Sequence, residues 1–339
     1  MVRFRESKKR KCTKFKYTPM KRTYIAIVAL AVVVLGLTTE TAVAQQDAQY
    51  TQYMYNTLSI NPAYAGARGG LSVLGLHRSQ WVGLDGAPRT QTVSIHSPVG
   101  ESKRVGLGLN ITNDEIFISN ETYIDVDFSY TIPTSDEGKL AFGLKGGVHL
   151  LDINYSEANP FQNGDNLATA QNNIDNKFSP QIGLGMFYYT DKYYLGLSAP
   201  NLLRTEHFDA SDNSNSTNST FLARERINYY LTTGYVFDIT QDFKFKPAGL
   251  VKAVQGAPLQ VDVTANALLY DKLTLGLAYR WSAALSGLVG FQITDNLMIG
   301  FAYDRESTEL QQFNNGSYEV FLRFEVFKQP KKLISPRFF

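Results

Sequence analysis

The sequence is poor in cysteine, in long apolar runs and in the signatures of catalysis. Its one cysteine, Cys12, stands in a basic leader. Once that leader is removed, disulfides, thiolate metal sites, a cysteine nucleophile and a lipidated cysteine at the new amino terminus are all excluded. Apart from Ile25–Leu37, no stretch approaches the ~18 consecutive apolar residues of a helical membrane span. G-x-S-x-G, Walker P-loop, H-E-x-x-H and C-x-x-C patterns are missing, so neither an enzyme nor a cofactor is expected. The four histidines, His77, His96, His149 and His207, fall on separate segments and suggest no metal site.

The leader is an address. Between Arg3 and Arg22 ten Lys or Arg face one Glu; IAIVALAVVVLGL follows, and then Ala42-Val43-Ala44. A basic region, a short apolar core and an Ala-x-Ala site are the parts of a secretory signal peptide. Residues 1–44 are therefore expected to be removed, with Met20 as a possible true start and an uncleaved anchor as the alternative. The cut inverts the charge: 23 basic against 29 acidic residues remain, a net of −6 in place of the full chain's +2. A nucleic-acid footprint is not supported.

What remains alternates. In VGLGLNIT, YIDVDFSYTI, LQVDVTANALL, LTLGLAYRW and SYEVFLRFEV, apolar side chains occupy every second position. Successive side chains on a strand point to opposite faces, so each such segment has one apolar face and one polar or small face. About fourteen segments follow this rule between residues 70 and 327, the one containing Pro247 least clearly. Gaps alternate in length as well. PVGESK, PTSDEG, TDK, TQD and TDN are short, whereas Asp152–Ser179, Pro200–Arg226 and Asp304–Gly316 are long and polar. Short turns at one end and long loops at the other are the asymmetry of an outer-membrane barrel. The expected fold is all-β, a transmembrane antiparallel β-barrel over 70–327 with a periplasmic tail at 328–339. A soluble β-sandwich is the alternative.

Backbone groups in a bilayer have no water to bond, so such a sheet must close. Asp125, Asp127, Lys145, His149, Asp262, Arg280, Arg323 and Glu325 would then face the lumen, where opposite charges can pair. Tyr130, Tyr188, Tyr189, Tyr279 and Trp281 fit interfacial girdles. Asp125 and Asp127 with a histidine could do acid–base work, but a single carboxylate pair at strand spacing is common, and a solvated lumen wall is the expected reading. Asn163–Asn176 is rich in oxygen ligands yet lacks EF-hand spacing, and reads as a surface loop. Asp209–Thr220 is of low complexity.

Before the first strand, QYTQYMYNTLSINPAYAGARGG has no strand alternation but four tyrosines. Pro62 fixes one backbone angle, and Gly66, Gly69 and Gly70 permit tight turns. Phenols can bury their rings while the hydroxyls find partners. Residues 45–69 are expected to plug the periplasmic mouth of the barrel, a disordered leader being the alternative.

QYMYNTLSINPAYAG, HRSQWVGLDGAPRTQTVSIHSPV and the terminal SPRFF together resemble the PorP/SprF family of the type IX secretion system. The residues that carry the likeness include Tyr53, Asn61, Pro62, Ala63, Tyr64, Gly66, Arg78, Trp81, Gly86 and Pro88. The resemblance implies an outer-membrane barrel of Bacteroidota, supporting export or surface anchoring of large adhesins or other cargo with a C-terminal sorting domain, in some members for gliding motility. It also implies outer-membrane lipid, the cargo and a periplasmic peptidoglycan-binding lipoprotein as partners. A small-solute, lipid or fatty-acid transporter with an N-terminal hatch is the competing function.

Overall fold

The computed structural model describes residues 48–157, 173–203 and 226–326. The leader, the tail, His207, Asp209–Thr220 and most of Asn163–Asn176 lie outside them. The chain begins with one helical turn, α1 (Thr57–Ile60), and a 3-10 turn at Pro62–Tyr64. Strands follow: β1 (Leu71–Ser79), β2 (Arg89–Val99), β3 (Val105–Ile116), β4 (Ser119–Pro133), β5 (Lys139–Ile153), β6 (Ile174–Tyr189), β7 (Tyr193–Ala199), β8 (Asn228–Tyr235), β9 (Phe237–Asp238), β10 (Phe243–Val254), β11 (Gln260–Leu269), β12 (Leu273–Arg280), β13 (Ala284–Gln292), β14 (Leu297–Glu306) and β15 (Ser317–Val326). Each pairs antiparallel with its neighbour, and β1 pairs with β15 to close the sheet. β8 and β9 lie end to end on the same edge of β10, so the closed barrel has fourteen staves, the number expected.

The split between β8 and β9 has a cause in the sequence. Register places Pro247 of β10 opposite Tyr235, between the pairs Ala248–Gly234 and Phe245–Phe237. Proline brings no N–H to a ladder, so the pairing lapses there and resumes two residues on. On its other edge Pro247 stays in register with Ala265.

The burial pattern is inverted relative to a soluble protein. Along β15 the buried residues are Ser317, Glu319, Phe321, Arg323 and Glu325, and the exposed ones are Tyr318, Val320, Leu322, Phe324 and Val326. Val126, Leu144, Val263 and Leu277 are all more than half exposed. Contiguous exposed apolar surface on this scale is stable only against lipid. Tyr130, Tyr279 and Trp281 lie on this outer face. Tyr189 does not: it is buried inside, because it follows Tyr188 directly and neighbours on a strand face opposite ways.

Loops segregate as expected. Residues 100–104, 134–138, 190–192, 239–242, 270–272 and 293–296 turn at the end where the chain enters β1 and leaves β15. At the other end are 80–88, 117–118, 255–259, 281–283 and 307–316, together with the described ends of two longer connections, 154–157 with 173 and 200–203 with 226–227. Two hairpins project further than alternation alone indicates. β3 and β4 run on to a tip of Phe117 and Ile118, and β6 starts at Ile174, shortening the loop expected up to Ser179. Both extensions are polar or mixed in sequence, which suits strands that have left the bilayer. The β5–β6 extension carries a register shift between Leu151 and Ile153.

Candidate functional site: a chain segment inside the barrel

Residues 48–70 lie against the inward faces of the strands, and between Tyr50 and Ala65 all but Ser59 are buried. The segment is polar in sequence, so its backbone and side-chain groups need partners when water is removed. The wall supplies them. Glu319 of β15 accepts the Gln52 N–H on Oε1 at 2.8 Å and the Thr51 N–H on Oε2 at 2.9 Å. Arg78 of β1 donates to the same Oε2 at 3.0 Å, to Thr51 Oγ1 at 2.8 Å, and pairs with Asp304 at 2.7 Å. Thr51 in turn donates its hydroxyl to Asp304 at 2.5 Å. One guanidinium, two carboxylates and two segment amides thus form a single buried network across the β1–β15 seam.

Further along, Asn61 closes the Asn-Pro-Ala turn on itself and ties it to the wall. Its Oδ1 accepts the Ala63 N–H at 3.0 Å, and its Nδ2 donates to the Met186 carbonyl at 3.0 Å. Ser198 donates to the Ile60 carbonyl at 2.6 Å, and Ser129 to the Ala65 carbonyl at 2.7 Å. The Gly66 N–H reaches His96 Nδ1 at 3.1 Å. Arg68 makes a two-pronged contact with Glu325, 2.5 and 2.7 Å. Such bidentate charge-assisted pairs are among the stronger hydrogen bonds.

Wall and segment approach closely because the wall is glycine at the points of contact. A β-carbon on Gly143 of β5 would overlap the Ala63 amide, and one on Gly185 of β6 would overlap Asn61 Oδ1. On Gly106 of β3 it would overlap the Ala65 carbonyl. Elsewhere the contact is apolar. Tyr53, Met54, Tyr55 and Ile60 join Leu74, Leu76, Leu288, Met298 and Phe321 in one buried cluster, with the Tyr55 and Phe321 rings 4.2 Å apart. Leu58, Ala63 and Tyr64 join Phe187 and Tyr189 in a second cluster.

The segment runs the height of the barrel. Gln49 to Gln52 touch Gln260, Thr92, Asp304 and Glu319, near the loop-end limits of their strands. Gly66 and Arg68 touch His96 and Glu325, near the short-turn limits. It therefore reaches well beyond the short-turn mouth where the sequence pattern had placed it.

The lumen candidates all lie on the inner face but do not converge. Lys145 pairs with Asp125 at 2.9 Å and also donates to the Ser59 carbonyl at 3.3 Å. Asp127, wholly buried, packs beside Gly108. His149 faces Glu121 at 3.2 Å and stacks on Tyr123. Arg280 pairs with Asp262 at 3.0 Å. Arg323 lies over Tyr55 and 3.7 Å from Glu325. Asp125 and His149, two of the groups that could have formed an acid–base site, thus belong to separate pairs. Among the described residues no three His, Asp or Glu side chains are placed to hold a metal ion.

The family-motif residues fall in two places. Tyr53, Asn61, Pro62, Ala63, Tyr64 and Gly66 belong to the segment, and Arg78 reaches it from β1. Trp81, Gly86 and Pro88 belong to the loop 80–88, which is stitched to both neighbours. Val82 exchanges backbone bonds with Gly316 and Asn315, Trp81 Nε1 donates to Glu306 at 3.0 Å, and the Phe117 N–H donates to the Gly86 carbonyl at 3.0 Å. A cavity of about 480 Å³ lies beside this loop, lined in part by Asp85, Arg89, Glu115 and Glu157.

A family model described as type IX secretion system membrane protein PorP/SprF matches residues 42–324. The chain belongs to the PorP/SprF family. It is an outer-membrane β-barrel of that secretion system's family of membrane proteins. No curated protein matches it. Among solved structures it is similar to the Ralstonia pickettii toluene transporter TbuX, with 12% identity, 80% of this chain and 92% of that one covered, and a TM-score of 0.46. It is also similar to the Acinetobacter baumannii outer membrane protein Omp33, with 9% identity, 76% and 98% covered, and a TM-score of 0.45. A Pseudomonas aeruginosa FadL homologue shares 11% identity over 76% of this chain and 88% of that one, with a TM-score of 0.40.

Proposed function

We propose that this PorP/SprF barrel is a docking and anchoring component of the type IX machine, working without catalysis and without conducting solutes through its lumen. The segment 45–69 acts as a built-in plug. A large surface adhesin, or other cargo with a C-terminal sorting domain, is held at the loop-end rim, and gliding motility is one use of such an anchor. A peptidoglycan-binding lipoprotein of the periplasmic machinery meets the short-turn end.

The observation that carries this reading is the occupied lumen. Inward Leu74, Leu76 and Phe321 pack on Tyr55 and Met54 where an aqueous channel would present water-facing polar groups. The same observation counts against a small-solute or fatty-acid transporter, which needs a path. Family membership supplies the link to secretion. Deleting this gene alone should strip the cargo adhesin from the cell surface; an adhesin that stays attached and abundant overturns the proposal. Purified barrel in planar bilayers should carry no steady conductance, whereas stable open channels would favour transport.

A further inference from the structure

The segment inside the barrel has a direction. Its first described residues, Ala48 to Gln52, lie at the loop-end level of the wall, beside Gln260, Thr92, Asp304 and Glu319. Its last, Gly66 to Gly70, lie at the short-turn level, where the chain turns into β1 at Leu71. A segment that merely capped the short-turn mouth would keep both of its ends there.

The segment is gripped by the wall at the short-turn level. The interior at that level is filled. Ala63 and Phe187 are at most 1% exposed, Leu58 is 2% exposed, and between the segment and Gly106, Gly143 and Gly185 of the wall there is no room for even a methyl group. The void that Ala48 does border is lined by Tyr50, Ser59, Asn110, Lys145, Gln181, Asn201 and Tyr230 and measures about 80 Å³. That volume takes a few waters, each with a share of roughly 30 Å³ of liquid.

We propose that the plug is inserted with its amino-terminal end outward, so that Ala48 opens on the cell-surface side of the barrel and is the part of the lumen segment that a surface partner meets first. This rests on the reading of residues 45–69 as a plug and of the loop end as the outer face. One continuous piece of chain then has its two ends on opposite sides of the membrane. A ligand or cargo domain at the rim touches residues near Ala48, while periplasmic partners touch the segment's exit into β1.

Site-directed thiols test it, since the mature sequence has no cysteine of its own. In a Cys12→Ser background, Ala48→Cys is treated with a small membrane-impermeant thiol reagent on intact cells. Gln312→Cys in the loop 307–316 and Gln241→Cys in the turn 239–242 serve as controls. The loop-end control should label on intact cells and the turn-end control only after the outer membrane is permeabilised; any other pattern in the controls refutes the barrel orientation itself. With the controls in place, Ala48→Cys is expected to label on intact cells without permeabilisation, more slowly than the exposed Gln312→Cys. Labelling that requires permeabilisation, or labelling in neither condition, overturns the proposal. Yield and heat-modifiable gel mobility equal to the parent protein show that the variant barrel has folded.

Discussion

Glu319→Gln is the smallest change that should loosen the segment. The two carboxylate oxygens have separate tasks: Oε1 takes the Gln52 amide at 2.8 Å, and Oε2 takes the Thr51 amide at 2.9 Å and Arg78 at 3.0 Å. A glutamine has one acceptor. Its oxygen is best kept facing Thr51 and Arg78, which leaves its NH2 against the Gln52 N–H. One buried amide then goes unsatisfied, at about 1–3 kcal/mol, and the bonds from Thr51 and Arg78 each lose their charged acceptor, at about 1 kcal/mol each. Arg78 keeps Asp304 at 2.7 Å, so the full penalty of ~3–5 kcal/mol for a broken buried pair is not incurred. The net expectation is about 3–5 kcal/mol of local destabilisation. Each 1.4 kcal/mol is a factor of ten, so amide hydrogen exchange over Tyr50–Met54 should accelerate by roughly 10²–10⁴. Exchange of the folded protein in detergent or nanodiscs, followed by mass spectrometry of that peptide, is the measurement. Asp271→Asn, which removes an exposed pair with Lys244 at the short-turn end, should leave the peptide's exchange unchanged. Unaltered exchange in Glu319→Gln would mean that the carboxylate does not hold the segment.

Three further outcomes follow from other parts of the molecule. Gly143→Val should unseat the Asn-Pro-Ala turn, because its β-carbon overlaps the Ala63 amide, at about 1–3 kcal/mol or more for overpacking; Gly146→Ala, whose β-carbon meets nothing within 4 Å, should fold as the parent does, and equal exchange over Leu58–Ala65 in both variants would contradict this. Asn61→Ala loses its bonds to Met186 and Ala63 and should cost about 1–3 kcal/mol, read as faster exchange of the same peptide. Val126→Arg places a charge at the middle of β4 on the outer face and should destabilise the barrel in phospholipid vesicles by about 2–4 kcal/mol; an arginine tolerated there within ~0.5 kcal/mol, the range of ordinary surface changes, would argue that this face does not meet lipid.

The wall was legible in the sequence because a barrel wall obeys a local rule. Side chains alternate between lipid and the interior, so strand count and faces follow from period two, and the structure places Asp125, Lys145, Asp262, Arg323 and Glu325 on the inner face. The exceptions are local too. Tyr188 and Tyr189 could not both join a girdle, being neighbours, and Pro247 interrupts one edge of β10 while the other edge stays paired. Packing across the lumen was less legible. Nothing near Thr51 announces Glu319, 268 positions away, as the acceptor of its amide. A weak signal did exist. Where LSVLGL opens β1, both faces are apolar, and the inward members, Leu74 and Leu76, are the ones that meet the segment. Inward glycines at 106, 143 and 185 were visible as small residues on a polar face, but a small residue in a wet lumen and one pressed against a backbone look alike in sequence.

That ambiguity bears on what kind of barrel this is. In a water-filled channel, inward carboxylates and guanidinium groups need no protein partner, and removing one changes ion selectivity more than stability. Here Glu319 and Glu325 spend their oxygens on Thr51, Gln52 and Arg68, and the wall carbonyl of Met186 accepts from Asn61. At these residues the inner face therefore behaves as a polar protein core that holds a chain. Two of its anchors, Arg78 with Glu319 and Arg68 with Glu325, sit at the seam where β1 meets β15, so the segment's contacts bridge the first and last strands of the sheet. Seating the segment and closing the barrel are then energetically coupled, and a variant that weakens the first should lower the stability of the second. A lumen committed in this way leaves the rims as the surfaces free to engage other molecules. The loop 80–88, pinned on both sides by Gly316, Asn315 and Phe117, gives the loop-end rim a fixed shape.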